Sequence, residues 1–289
     1  MQESNIITIS NSDPLFPSDF NRVLPKITKV YAIGNTDLLA QGRCLSIVGS
    51  RRPTNYGQET TAEFAQAAAR AGFTIVSGLA FGIDSIAHQA ALDCGGKTIA
   101  ILPTGLQNIY PVSHAYIAKQ IVATGGLLLS EYANGAPPMK HYFIRRNRLI
   151  AALSDTLLVT EGGKNSGSKH TADFAIDLGK DICVIPGHIT SPLSVVPNNL
   201  LKEGAHPMIT PSDLLTILGV HENLMKRRYS AKNKYEQLIL NLLRTENLSV
   251  EAMLQASQLE VSTFNVHLTM LEIKGVIEQT ASKSWRLAK

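Results

Sequence analysis

The sequence has few cysteines and no paired-cysteine motif. Its three cysteines, Cys44, Cys94 and Cys183, are far apart, and each lies in or beside an apolar run. An odd number of scattered cysteines predicts buried free thiols in a reducing compartment, not a disulfide framework. Neither a CxxC nor an HExxH pattern occurs, so the sequence predicts no zinc site and no other bound metal.

Long apolar runs are also missing. No stretch reaches the roughly 18 apolar residues of a membrane-spanning helix. The first residues lack the basic start and apolar core of a signal peptide, so we expect a cytoplasmic protein without a membrane anchor. The net charge is only +4, with 17% charged residues. Such mild overall basicity does not by itself indicate nucleic-acid binding. An inference of nucleic-acid binding must therefore depend on local clusters of positive charge.

Short apolar runs alternate with helical patterns from residue 44 to residue 185. Predicted strands cover residues 44–49, 74–77, 98–102, 126–131, 156–160 and 181–185. Predicted helices cover residues 56–71, 84–92, 114–124, 145–153 and 171–178. Buried strands separated by helices at this spacing predict an α/β fold, a doubly wound and mostly parallel Rossmann-like sheet with helices on both faces.

The pattern divides the chain into four parts. Residues 1–42 are interrupted by several prolines and predict an N-terminal arm that packs on the core, with one short strand near residues 30–33. Residues 43–220 form the Rossmann-like domain. Residues 221–232 are polar and basic, as expected of a linker. Residues 233–289 are expected to form a small winged-helix domain.

The winged-helix prediction depends on three amphipathic helices followed by two short strands. In the third helix, residues 260–274, the apolar side chains Val261, Phe264, Leu268 and Leu271 are expected to face inward. The remaining positions carry little positive charge, which is unfavourable for a strong reader of DNA. Contact with a protein is therefore as well supported for this helix as contact with DNA.

Three loops in the Rossmann-like domain follow predicted strands, at residues 49–57, 77–84 and 161–168. Ligands of such folds bind outside the carboxyl ends of the strands, so we expect all three loops at one rim. Residues 140–169 add six lysines and arginines against two acids, with aromatic residues between them. Positive charge, aromatic rings and Gly/Ser loops suit a phosphate backbone with unpaired bases. The alternative is a solvated, charged helix end.

The loop Gly49-Ser-Arg-Arg52 is neither a GxGxxG nor a Walker A motif, so we expect no nicotinamide, flavin or other cofactor. Its glycine and arginines suit phosphate instead. Asp84 and His88 lie four residues apart on one helix face. No nucleophile motif accompanies them, and we interpret them as a structural pair that fixes the neighbouring loop. Ser166 and Ser168 can either cap a helix or bind an anion.

With these residues in view, the chain resembles the DNA-processing protein A family, also called DprA or Smf. The resemblance covers about residues 14–218, and a winged helix seen in many members accounts for the rest. The motifs are GSRRPTNYG (49–57), SGLAFGIDSIAH (77–88), FIRRNRLIAALS (143–154), TEGGKNSGSKHTA (160–172) and VIPG (184–187). The resemblance implies a homodimer, formed through the Rossmann-like domain, that is not an enzyme. Such a protein binds and protects incoming single-stranded DNA and loads RecA recombinase during natural transformation.

The same resemblance implies a set of DNA-binding residues. Family members grip phosphates and a base through positions matched here by Ser50, Arg51 or Arg52, Lys140, Phe143, Ser166 and Lys169. Arg146, Lys164 and Gly167 complete the predicted site, because they belong to the same basic segment and Gly/Ser loop. We expect the cations to neutralise phosphates and Phe143 to stack a base, which contributes about 1 to 3 kcal/mol. Duplex DNA offers no free base faces, so single strands should be preferred.

Two other functions fit parts of the pattern. LOG-like phosphoribohydrolases also place a Gly-rich loop after a late strand, but their motif PGGxGTxxE needs a glutamate just beyond it. The loop here, EGGKNSGSKHTAD, has no such glutamate, although Asp173 is close. A regulator that acts through the winged helix would instead bind duplex DNA through residues 226–289.

Overall fold

The computed structural model describes residues 6–40, 42–220, 231, 233–245, 247–274, 276–280 and 284–287. The chain divides after residue 221 into two compact units. Within the described ranges, no helix is long and apolar enough to cross a membrane. Cys44 and Cys183 are buried free thiols, as predicted, whereas Cys94 is only partly buried. Burial raises the pKa of the Cys44 and Cys183 thiols to about 12.

The first unit contains a nine-stranded sheet in the order β1-β2-β6-β5-β4-β3-β7-β8-β9. Its strands are β1 Ile7–Ser10, β2 Lys29–Gly34, β3 Cys44–Val48, β4 Thr74–Ser77, β5 Thr98–Leu102, β6 Leu127–Ser130, β7 Thr156–Val159, β8 Asp181–Val184 and β9 His206–Pro207. Strands β3 to β9 pair in parallel, whereas β1 and β2 are antiparallel additions beside β6. The prediction of a mostly parallel sheet is therefore confirmed.

Helices cover both faces of this sheet. They are α1 Asn55–Arg70, α2 Ile83–Asp93, α3 Ala115–Ala123, α4 Lys140–Ala152, α5 Gly167–Asp177, α6 Val195–Lys202 and α7 Pro211–Ile217. The helices α1, α2 and α7 pack on the face that carries Leu45 and Ile47. The helices α4, α5 and α6 pack with Val48 and Val159 on the other face. Because the central strands are buried on both faces, they are mostly apolar and do not alternate between apolar and polar residues.

The predictions for the N-terminal arm and for the start of α4 are wrong in detail. The N-terminal arm contributes two strands to the sheet, β1 as well as the expected β2, and Ile9 and Val30 on these strands are buried. Helix α4 begins at Lys140 instead of residue 145, directly after the extended residue Met139. The basic and aromatic residues at the start of the predicted site therefore lie on a helix, where side chains three and four positions apart share a face.

The second unit has the winged-helix elements, as predicted. Its helices are α8 Lys234–Thr245, α9 Val250–Ser257 and α10 Val261–Ile273, and its wing pairs β10 Ile277–Gln279 with β11 Trp285–Leu287. Phe264, Leu268 and Leu271 of α10 lie in its core, but Val261 is 56% exposed, which corrects the inward position predicted for it. The predicted linker at residues 221–232 lies outside the described residues, apart from Ala231.

Candidate nucleic-acid interface

The order in which the chain adds strands to the sheet reverses at β3. The chain continues from β3 to its neighbour β4 on one side, while β7 pairs with β3 on the other. The loops that follow β3 and β7 therefore diverge and leave a crevice between them at the carboxyl edge of the sheet. Such a crevice is the usual ligand site of doubly wound folds. A pocket of about 730 Å³ opens there, lined by residues of both loops, by the middle of α4 and by the start of α5. Its volume is in the range of sites for small organic ligands.

The loop after β3 is held against the start of α2. The Ile83 N–H donates to the Ser50 carbonyl at 3.1 Å. Gly82, with φ of 76°, makes this approach possible, because a Cβ there would overlap with the same carbonyl. The Ser50 side chain is buried and accepts a hydrogen bond from the Arg52 N–H at 3.1 Å. Arg51 and Arg52 are exposed as a result, and both line the pocket.

Glu161 ties the loop after β7 to the loop after β3. Its Oε2 accepts from the Thr54 N–H at 2.9 Å and its Oε1 accepts from the Thr54 hydroxyl at 2.6 Å. The carboxylate is only 4% exposed, and a Cβ on Gly57 would overlap with it. The same Thr54 caps α1 by accepting from the Gly57 N–H. Sequence reasoning missed this role, because it counted Glu161 only as a charge.

The Gly/Ser loop ends at the N-terminus of α5, which begins at Gly167 instead of residue 171. Ser166 is the N-cap and accepts from the Ser168 N–H, so its hydroxyl has a capping role. Asn147 of α4 donates to the Gly167 carbonyl at 3.2 Å and fixes the loop against α4. The loop and the first turn of α5 line the pocket, including Lys164, Ser166 and Gly167. A helix N-terminus in this position favours an anion.

Arg146 forms part of the pocket floor and does not match the phosphate-binding role predicted for it. The residue is only 3% exposed, and its guanidinium donates to the Gly78 carbonyl at 2.6 Å and to the Ile101 carbonyl. A Cβ on Gly78 would overlap with this guanidinium. Burial lowers the pKa of Arg146 to about 10, although the nearby carboxylate of Asp84 raises it. We therefore correct its role to that of a buried cation that supports the loop.

Asp84 and His88 do not form the predicted pair. The Asp84 carboxylate accepts from the Gly78 N–H at 3.1 Å and from the Ala80 N–H at 3.4 Å, so it does fix the loop as expected. Burial raises the pKa of this carboxyl, while nearby Arg146 lowers it. His88 instead shares a 2.6 Å hydrogen bond with the Thr98 hydroxyl. Burial lowers the pKa of His88 to about 3, so the imidazole is neutral.

An aromatic rim, formed by Phe143 and Tyr110, lies beside the pocket and contacts its lining through Arg51. The Arg51 guanidinium lies 5.4 Å from the ring centroid of Phe143, within the range of a cation–π contact. Phe143 in turn makes an edge-to-face contact with Tyr110, with centroids 5.3 Å apart. Lys140 lies three residues before Phe143, one turn earlier on α4, and is exposed. The structure thus brings the predicted residues Arg51 and Phe143 into contact, although one lies in the loop after β3 and the other on α4.

The remaining predicted cations differ in how they are paired. Arg145 and Arg148 both contact Glu131, and Arg148 is buried. Lys169 forms a 2.8 Å ion pair with Asp173 on the exposed side of α5, and this hydrogen bond raises the pKa of Lys169. Within the part of the chain that the structure describes, no ion pair involves the four exposed cations Arg51, Arg52, Lys140 and Lys164. These four are available to an anionic ligand.

Fold and site together define an α/β protein with a pocket flanked by exposed cations at the carboxyl edge of its sheet, and with a winged-helix unit. Among the residues with described positions, no group of three His, Cys, Asp or Glu side chains could hold a metal ion. The family model of DNA recombination-mediator protein A matches residues 6–219, and that of the DprA winged helix domain matches residues 226–283. The chain belongs to the DNA recombination-mediator protein A (DprA) family.

Two relatives of the chain support this membership. The chain is 42% identical over 179 residues to protein Smf of Escherichia coli, covering 61% of this chain and 48% of that protein. It is 34% identical over 213 residues to DNA processing protein DprA of Bacillus subtilis, covering 74% of this chain and 71% of that protein. The alignment thus spans about half the length of the E. coli relative.

Solved structures give the same result. DNA processing protein A of Streptococcus pneumoniae superposes with a TM-score of 0.69 at 37% identity, covering 73% of this chain and 74% of that chain. The Helicobacter pylori protein, whose structure was described for its single-stranded DNA binding mode, superposes with a TM-score of 0.66 at 34% identity. That comparison covers 74% of this chain and 95% of the other chain.

Proposed function

We propose that the pocket and its aromatic rim bind single-stranded DNA. The observation that carries this proposal is the contact between Arg51 and Phe143 at the mouth of a pocket that the N-terminus of α5 also faces. A phosphate would be attracted by the exposed cations and by the helix N-terminus, and an unpaired base would find an aromatic surface beside them. The single-stranded DNA binding mode of the H. pylori relative supports the same ligand.

Binding, not catalysis, is the role that the titratable groups favour. Asp84 is engaged by loop N–H groups and lies beside Arg146, and His88 is a neutral, buried side chain bonded to Thr98. The phosphoribohydrolase alternative needs a carboxylate directed at the substrate. Glu161, the acid in the corresponding loop, has both oxygens committed to Thr54. We therefore assign these groups structural roles and propose that the chain acts as a DNA-binding protein in the cytoplasm.

The proposal extends to the fate of the bound strand. A protein that covers unpaired DNA protects it, and we propose that this chain then transfers the strand to RecA recombinase during natural transformation, acting as a homodimer through its Rossmann-like unit. An assay of RecA filament formation on strands covered with single-strand-binding protein tests the transfer, and sedimentation equilibrium tests the dimer. A monomeric protein that leaves filament formation unchanged would remove this part of the proposal.

A salt titration tests the binding itself. We expect the full chain to bind a labelled oligo(dT) strand with a log–log salt slope of about −3, from four exposed cations at about 0.7 each. Arg51→Ala and Lys140→Ala should each reduce the slope by about 0.7 and weaken binding. Arg70→Ala is the matched control, since Arg70 is an arginine near the end of α1, at the opposite edge of the sheet. A slope near zero, or equal losses in all three variants, would contradict the proposal, as would equal affinity for a duplex of the same length.

A further inference from the structure

Tyr110 lies in the loop after β5, at the same edge of the sheet as the pocket. Its ring meets that of Phe143 at an interplanar angle of 77°, and Phe143 meets the guanidinium of Arg51. Because Arg51 lines the pocket, the three side chains form a row that leads outward from it. Tyr110 is 40% exposed at the outer end of this row.

Hydrogen bonds to neighbouring segments hold the loop that carries Tyr110. The Thr104 hydroxyl donates to the Asn108 carbonyl at 2.6 Å, and the Ser130 hydroxyl donates to the Thr104 carbonyl at 2.7 Å. The Gly105 N–H donates to the Ala136 carbonyl at 3.1 Å, which joins this loop to the one after β6. The backbone leading to Tyr110 is therefore held before any ligand arrives, and the contact with Phe143 orients its ring. A positioned ring loses little conformational entropy on binding.

We infer that Tyr110 is a further stacking residue, which receives an unpaired base next along the strand to the base that Phe143 receives. This inference rests on the proposed function. A tyrosine suits an exposed stacking position because its ring has a large apolar face while its hydroxyl stays in water. Base–aromatic stacking tolerates any base. The strand would then pass from the pocket over Phe143 and on to Tyr110, so the footprint exceeds one nucleotide.

Substitution of Tyr110 tests the inference with two ligands. Tyr110→Leu should weaken binding of the full chain to oligo(dT) by about fivefold to a hundredfold. Its affinity for an abasic strand of equal length, which has the phosphates but no bases, should change less than about twofold, because phosphate contacts do not depend on the ring. Tyr110→Phe keeps the ring and should bind oligo(dT) like the wild type. Melting temperatures of both variants establish that they fold.

The outcomes separate the inference from the proposed function. If Arg51→Ala weakens oligo(dT) binding but Tyr110→Leu does not, or if Tyr110→Leu weakens both ligands equally, Tyr110 is not a stacking residue and the proposed function stands. If the wild type binds neither strand, both fall. Should Tyr110→Leu fail to fold, photocrosslinking of a 5-iodouracil strand to the wild type decides. A crosslinked peptide containing Tyr110 supports the inference, and crosslinks confined to other peptides overturn it.

Discussion

Both carboxylate oxygens of Glu161 accept hydrogen bonds from the single residue Thr54, one from its N–H and one from its hydroxyl. The two residues are 107 positions apart in the sequence. Glu161 follows β7, and Thr54 lies between β3 and α1, so this contact fixes the distance between the two loops that form the pocket. The negative charge of Glu161 opposes an anionic ligand, whereas its hydrogen bonds to Thr54 hold the two binding loops in place. The two effects of Glu161 on binding are therefore opposite.

Substitutions of Glu161 separate these two effects. Glu161→Ala removes both hydrogen bonds to Thr54, an exposed residue, and should lower the free energy of unfolding by about 1 to 2 kcal/mol. It should also weaken binding to oligo(dT), since the loops lose their fixed spacing. Glu161→Gln retains one acceptor for the N–H and removes the charge, so it should bind at least as tightly as the wild type. Urea unfolding followed by circular dichroism and fluorescence anisotropy measure the two quantities. Equal binding by the Ala and Gln variants would show that the contact does not position the loops.

Arg146→Gln should be destabilising without removing a phosphate contact. The substitution removes the buried donors to the Gly78 and Ile101 carbonyls and the cation beside Asp84, and it should cost about 2 to 4 kcal/mol. The control Arg145→Gln removes an arginine from the same helix whose side chain is 42% exposed, and it should cost less than about 1 kcal/mol. Urea titrations measure both. A stable Arg146→Gln protein with a salt slope reduced by about 0.7 would instead support direct contact of Arg146 with DNA.

The ion pair of Lys169 with Asp173 competes with a phosphate for the lysine ammonium group. Asp173→Asn frees the ammonium group, so oligo(dT) affinity at low salt should rise by about two- to fivefold and the salt slope should steepen by up to about 0.7. Asp177→Asn is the matched control, because Asp177 is an exposed acid one turn further along the same helix. If the two variants raise affinity equally, the gain comes from net charge alone and Lys169 does not join the site.

His88 should make folding sensitive to acid. Its pKa is lowered to about 3 in the folded chain, whereas in the unfolded chain it is about 6.5. The stability that this neutral histidine contributes is therefore complete above pH 6.5 and is lost as the pH falls towards 3. Relative to His88→Gln, the wild type should lose about 2 to 3 kcal/mol of unfolding free energy between pH 7.5 and pH 4.5. Urea unfolding at both pH values gives the difference, and parallel losses in the two proteins would contradict the prediction.

The sequence predicted the parallel sheet well because its signal is local. The apolar runs at residues 74–77 and 98–102 coincide with β4 and β5, since buried strands are apolar on both faces. The starts of α4 and α5 were placed four or five residues late, because their first turns are polar and lack apolar periodicity. Strand β1 was missed because the arm around it is broken by prolines.

Contacts between distant segments could not be predicted in this way. The sequence grouped the cations of residues 140–148 as one basic cluster, but the fold buries Arg146 and Arg148 and leaves Lys140 exposed. The bond from Arg146 to Gly78 spans 68 residues and that from Glu161 to Thr54 spans 107. Neither bond leaves a local pattern in the sequence. Only the folded chain therefore distinguishes a cation that supports a loop from one that is free to bind a ligand.

The position of the pocket between β3 and β7 has a consequence for synthesis of the protein. One wall comes from residues 49–52, the other from residues 163–168, and Leu193 secures the latter by accepting from the Gly162 N–H at 2.6 Å. A nascent chain therefore has no complete pocket until residues beyond 193 have left the ribosome. A product of interrupted translation that ends before this point would lack the contact that secures this wall, and we expect it to bind the ligand less tightly than the finished protein.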